Sequence, residues 1–137
     1  MKTKIIRTQA DFDELDRTKI INFNLEIEMS MLVFEGNLYA GGYIDAGGYS
    51  ITMQGFKYIK IGSFRGLYKH IVMPLIKEDG SEFIRLGCFT RSVQDWATNF
   101  WNNPREFPNN GDMPSKLRWL AYQTCLRWLE INREGEE

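Results

Sequence analysis

The chain has 137 residues, 43% hydrophobic and 14% aromatic, with 17 basic and 18 acidic side chains and a formal charge of −1. This length suits one domain around one core, and the composition excludes wholesale disorder and a fibrous repeat. No run approaches the ~20 apolar residues of a membrane span, and "MKTKIIRTQADFDEL" turns acidic where a signal peptide would stay apolar, so a cytoplasmic protein with no membrane association is expected.

In chain order, residues 4–7 predict a short strand. Thr8 with Asp11 three residues on forms an N-cap pattern, which predicts a helix of about two turns with Phe12 and Leu15 facing inward. From residue 19, Ile21, Phe23, Leu25, Ile27, Met29 and Met31 alternate with Asn22, Asn24, Glu26, Glu28 and Ser30, the period of a strand with one buried face. Glu26 and Glu28 fall on its polar side and read as solubility or edge protection. Glycines at 36, 41, 42, 47, 48, 55, 62 and 66 then separate the β-prone pieces LYA, YID, YSITM and FKYIKI. Short strands with bends at this spacing predict a small parallel β-solenoid, slightly preferred, or an antiparallel meander.

The segment "HIVMPLIKEDGSEFIRLG" predicts a strand pair turning at Asp79-Gly80. Ser92 with Asp95 is a second cap, opening a helix with Val93, Trp96, Ala97 and Phe100 at helical spacing. "NNPREFPNNGDMP" is loop chemistry, and a longer helix starts at about Ser115. That helix shows two apolar stripes, one of Leu117, Leu120, Ala121, Thr124, Trp128 and Ile131, the other of Trp119, Tyr122 and Leu126. The fold class is therefore α+β, a single domain over 1–137, β-rich over 1–90 with a short first helix and helical over 91–134.

The repeated triplet in "GGYIDAGGYS" lacks both the G-x-G-x-x-G and the G-x-x-x-x-G-K-[ST] spacing, so its glycines are expected to bend and pack rather than cradle phosphate. Tyr39, Tyr43 and Tyr49 are separated by even numbers and would emerge on one face of extended chain, as a binding face or as a packed aromatic ladder. Charge is uneven. Residues 1–45 carry −3, residues 46–77 carry +5 with no acid, and the remainder carries −3. Within the basic island, Phe56, Tyr58, Phe64 and Tyr68 interleave with Lys57, Lys60, Arg65 and Lys69. That pattern suits single-stranded nucleic acid or an anionic nucleotide through phosphate neutralisation and stacking, or an acidic protein partner. All four tryptophans fall in the last third, where Trp101 and Trp119 lie off the main stripes and are candidates for an exposed patch. A homodimer through the last helix would use the same residues.

Catalysis finds little purchase. His70 is the only histidine, and Cys88 and Cys125 are distant and expected to be buried free thiols. No metal, cofactor or enzymatic activity is expected, a Cys88–His70 nucleophile pair with Asp45 as orienting acid having no support in spacing.

"IIRTQADFDEL", the glycine-rich short strands behind it and "IRLGCFTRSVQDW" resemble small accessory proteins of phage and prophage genomes, in which a strand and helix lead into short β-solenoid repeats closed by helices. Only the Gly-Gly-Tyr pair recurs here. The resemblance implies a non-catalytic inhibitor, of anti-CRISPR or related anti-defence type, that binds a protein or ribonucleoprotein complex in the cytoplasm of a bacterial host.

Overall fold

A computed structural model describes residues 1–29, 32–46, 57–87, 89–100 and 109–134. Within them, seven strands form one open mixed sheet in sequential order, with three helices, so the fold is α+β. The strands are β1 (Thr3–Ile6), β2 (Asn24–Ile27), β3 (Gly36–Asp45), β4 (Lys57–Ser63), β5 (Val72–Lys77), β6 (Glu82–Leu86) and β7 (Phe89–Ser92). The helices are α1 (Gln9–Asp13), α2 (Val93–Asn99) and α3 (Met113–Glu134). β1, β2 and β3 run parallel, and β3 through β7 are an antiparallel meander. Of the two arrangements expected from the glycine spacing, the meander is present, and the preferred solenoid is absent from the described residues. None of the described helices is long and apolar enough to cross a membrane.

Local chemistry explains the first elements. Thr8 Oγ1 accepts from the Asp11 N–H at 3.1 Å, while the Asp11 carboxylate accepts from the N–H groups of Thr8 and Arg7 at 3.1 and 3.0 Å, closing a capping box. These bonds hold the Asp11 carboxyl below its usual range. Phe12 buries against Phe34 with ring centroids 5.0 Å apart. The alternation that begins at Ile21 is interrupted: Ile21 makes an isolated parallel bridge to Ala40, Phe23 turns outward, and the ladder starts only at Asn24. The bend at 22–23 separates two short stretches, and Ile21, Leu25 and Ile27 still reach one core. β2 lies between β1 and β3, so Glu26 does not protect an edge.

The glycines divide between the bending and packing expected of them: Gly36 and Gly66 adopt the positive φ of bends, whereas Gly41, Gly42 and Gly62 lie inside strands. LYA and YID are parts of one ten-residue strand, β3, that runs through Gly41 and Gly42 and absorbs a register shift between Tyr39 and Ile44. A Cβ on Gly42 would lie 1.8 Å from Asn24 Oδ1, which accepts the Tyr43 N–H at 3.1 Å. Gly62 lies inside β4, where a Cβ would stand 2.8 Å from the Trp128 ring. Both glycines permit close approach of side chains to backbone rather than turns. Gly47, Gly48, Gly55 and the piece YSITM lie outside the described residues.

The sheet has two cores. Leu25, Ile27, Leu38, Ile44, Tyr58, Ile61, Met73 and Leu75 bury on one side with Phe12 of α1 and with Leu32 and Phe34. Val72, Ile76, Ile84 and Leu86 bury on the other under Trp96, Phe100, Tyr122, Cys125 and Trp128. β5 alternates between them, Val72 and Ile76 to one and Met73 and Leu75 to the other, which is why its sequence is an unbroken apolar run. The β5–β6 turn at Asp79-Gly80 is the expected one, with Ser81 N–H donating to Asp79 Oδ1 at 2.9 Å. The second cap is also present, Ser92 Oγ accepting from the Asp95 N–H at 3.1 Å, and Trp96 Nε1 donates to the Ile84 carbonyl at 2.8 Å.

In α3 the buried stripe is not either of the expected ones. Ser115, Arg118, Ala121, Tyr122, Cys125, Trp128, Leu129 and Asn132 face the sheet, whereas Leu117, Leu120 and Ile131 are exposed. Two polar contacts fix that rotation. The Arg118 guanidinium lies 4.5 Å from the Phe100 ring centroid and hydrogen-bonds Tyr68, and Trp128 Nε1 donates to Asn37 Oδ1 at 2.7 Å. Burial lowers the Arg118 pKa to about 10, which leaves the group charged at neutral pH. Cys125 is a buried free thiol pushed up to about 12 by the same effect. Native protein is expected to react with an aromatic disulfide reagent at Cys125 only through unfolding, so its labelling rate should rise steeply with denaturant. Labelling of Cys125 in native buffer as fast as a free thiol would contradict the placement. Cys88 lies outside the described residues.

Candidate binding face

Period-two alternation places Asn24, Glu26, Tyr43 and Asp45 opposite the first core, on the same side of the sheet as the helical layer. That layer stops short of them. α3 packs mainly on β5 and β6, and α2 on β6 and β7, with Trp128 reaching β3 at Asn37 and Tyr39. Among the described residues, Ile5, Glu26, Tyr43, Asp45 and Lys57 are left half-buried or exposed on a shelf beside α3 that no helix covers.

The shelf is ordered by two lysine–tyrosine stacks. Lys57 Nζ lies 4.2 Å from the Tyr43 ring centroid, and Lys60 Nζ lies 5.8 Å from that of Tyr39. Both pairs follow from the β3–β4 ladder, in which Lys60 stands opposite Tyr39 and Lys57 opposite Asp45. Tyr43 is held from three directions: its N–H donates to Asn24 Oδ1, its hydroxyl donates to Glu26 Oε1 at 3.4 Å, and Lys57 covers its ring. Tyr39 leans on Trp128 with centroids 6.2 Å apart. Each exposed cation–π pair is worth about 0.5–1 kcal/mol, enough to fix the rings without removing their edges from solvent. Beyond Glu26 the Arg7–Glu28 pair, 3.2 Å long and solvent-exposed, adds charge and little stability.

The other sequence candidates do not join this face. Tyr58 is fully buried in the first core, and it is corrected from a binding residue to a core residue. Its hydroxyl has no hydrogen-bond partner among the described residues, and burial, partly offset by Arg85, pushes its pKa up to about 12. Arg65 and Lys69 are exposed in the 64–71 connection past the far end of β4. Eight extended steps of ~3.3 Å can separate Lys57 from Arg65 by about 26 Å. Tyr68 is half-buried, bonded to Arg118 and edge-on to His70 at 5.7 Å. The basic island is thus continuous in sequence and divided in space. Tyr49 and Trp101 lie outside the described residues.

Trp119 is partly exposed on a second feature, a cleft of about 590 Å³ between α2 and α3 lined by Trp96, Phe100, Trp119, Tyr122, Gln123 and Leu126. Its rings pack on one another, Phe100 to Tyr122 at 4.6 Å, Phe100 to Trp119 at 5.1 Å and Trp119 to Tyr122 at 5.4 Å, forming one wall rather than a cage. Among the described residues no group of three or more His, Cys, Asp or Glu side chains is placed to hold a metal ion.

Sequence reasoning missed Asn24, Glu26 and Asp45 as members of the face. The signal was present: Asn24 and Glu26 share the parity of the exposed positions of β2, and only the pairing partner was unknown. Comparison with protein-family models, with curated proteins and with solved structures finds no match to this chain.

Proposed function

We propose that this chain acts without catalysis, by stoichiometric binding of a protein partner through the tyrosine–lysine face of β2, β3 and β4. One observation carries this reading: the helical layer leaves that part of the sheet open, and there Tyr39 and Tyr43 are pre-oriented by Lys60, Lys57, Asn24 and Glu26. Rigid tyrosines contribute contact area at low entropic cost, and fixed charges of both signs around them select a complementary surface. In the phage setting that the sequence resemblance implies, the partner is a host protein or ribonucleoprotein complex that occupancy inhibits.

The rival reading, nucleic acid along residues 56–69, has less support, because Tyr58 is buried and Lys57 opens β4 whereas Arg65 lies past its far end. To test the proposal, the tagged protein would capture a complex from bacterial lysate treated with nuclease, and the purified complex would be titrated calorimetrically. Saturation at a defined stoichiometry is expected, with Tyr43→Ala plus Lys57→Ala weakening affinity by at least 30-fold, or about 2 kcal/mol. Unchanged affinity in that variant would reject the face. Binding that vanishes with nuclease and falls steeply with salt would replace the partner with nucleic acid.

A further inference from the structure

We infer that α3 carries a self-complementary seam through which two copies of this chain pair antiparallel. Away from the sheet-facing residues of this helix, Met113, Leu117, Leu120, Thr124, Arg127 and Ile131 recur in alternating steps of four and three. That is the period at which helices pair side by side. The four apolar members are 64%, 37%, 46% and 50% exposed, so among the described residues nothing covers the row. Singly scattered apolar residues are ordinary on a surface; a row along a helix of 22 residues, about 33 Å long, is the form an interface takes.

Charge selects the occupant and its direction. Beside the seam Lys116, Gln123 and Glu130 follow one another at seven-residue intervals, all exposed. In an antiparallel pair whose layers are Met113 on Ile131, Leu117 on Arg127 and Leu120 on Thr124 of the second copy, the two-fold axis places Lys116 opposite Glu130 twice. Gln123 meets its own copy near the axis. A parallel pair would instead set Lys116 against Ala121 and Gln123 against Trp128, both buried on the sheet and without charge, so Lys116 would have no acidic partner. Arg127 fits the seam because its guanidinium is held aside by Glu130 at 3.0 Å, which leaves its methylenes over the apolar row. One helix pair is a small interface, so a dissociation constant on the order of micromolar is expected.

Sedimentation velocity of the full chain from about 1 µM to about 1 mM should show a monomer–dimer equilibrium, and Leu117→Glu with Leu120→Glu should be monomeric throughout with unchanged far-ultraviolet circular dichroism. Lys116→Glu and Glu130→Lys should each weaken the dimer at least 10-fold. An equimolar mixture of these two variants should restore it, because each chain then supplies the charge the other lacks. A wild-type monomer at the highest concentration would overturn the inference. So would a dimer indifferent to the charge reversals or not restored by mixing.

Discussion

Trp128→Ala is expected to lower the unfolding free energy by about 3–5 kcal/mol, read as a fall in the urea midpoint with little change in slope. This would consume a large part of the roughly 5–15 kcal/mol typical of a domain. Trp128 is the residue at which α3 meets the sheet: its indole donates to Asn37 Oδ1 at 2.7 Å, its ring lies over Gly62, and it supports Tyr39. Removing the ring leaves a void that β4 cannot fill, because the residue beneath it has no side chain. Gly62→Ala approaches the same contact from the other side. Its Cβ would stand 2.8 Å from the ring, and the Asn37 bond prevents the indole from sliding away, so a loss of about 1–3 kcal/mol is expected. Combining Gly62→Ala with Trp128→Phe should cost less than the two single losses added, since the smaller ring vacates the space the methyl enters. Additive losses would show that the contact does not set the helix–sheet distance. Because Trp128 also props Tyr39, Trp128→Ala should weaken partner binding at the open face even where the protein remains folded.

What the sequence made readable, and what it did not, follows from the range of each interaction. Both caps, Thr8 with Asp11 and Ser92 with Asp95, and the Asp79-Gly80 turn depend on atoms within four residues, and all three form as the spacing predicts. The shared parity of Tyr39 and Tyr43 also survives, with both on the helical side of the sheet. The register shift between Tyr39 and Ile44 leaves the parity of β3 intact, Leu38 and Ile44 both facing the first core, whereas the bulge between Tyr58 and Lys60 resets the phase of β4, so that Tyr58 and Ile61 share that core although three residues apart. No local pattern announces the bulge, and Tyr58 consequently enters the core while its sequence neighbours Lys57 and Lys60 do not. The rotation of α3 was hidden for a related reason. Counting apolar residues gave two stripes and no single inner face; a buried arginine bonded to Tyr68 and a tryptophan bonded to Asn37 turn inward a face that takes Ala121 and Trp128 from one stripe and Tyr122 from the other, and leaves Leu117, Leu120 and Ile131 outside. Both contacts join segments tens of residues apart. The apolar row thereby left outside is the same row that the antiparallel pairing would bury.

Tyr58→Phe is expected to raise stability, by about 1–3 kcal/mol, against the usual direction of a core substitution. The hydroxyl is buried with no hydrogen-bond partner among the described residues, so the folded state forfeits the hydration that the unfolded chain retains, and phenylalanine keeps the ring while removing the cost. The same residue gives a signature in pH. Burial raises the folded-state pKa of Tyr58 from its ordinary value near 10 to about 12, so folding favours the neutral phenol. The preference is fully present below pH 10 and is lost as pH rises toward 12, because the unfolded chain ionises first and gains the stabilisation of the phenolate. Cys125, raised from 9 to about 12, adds a slope of the same sign that begins one unit lower. Above pH 10 the buried Arg118, whose pKa is lowered, contributes a slope of opposite sign and Tyr122, raised by burial, one of the same sign, so Tyr58 is read by difference: the stability gap between Tyr58→Phe and wild type should widen from pH 9.5 to 11. Denaturant melts of both proteins at pH 8, 9.5 and 11 would measure that gap. A Tyr58→Phe protein less stable than wild type at pH 8 would mean that the hydroxyl is satisfied after all, and that β4 is held by a bond where burial alone is assigned here.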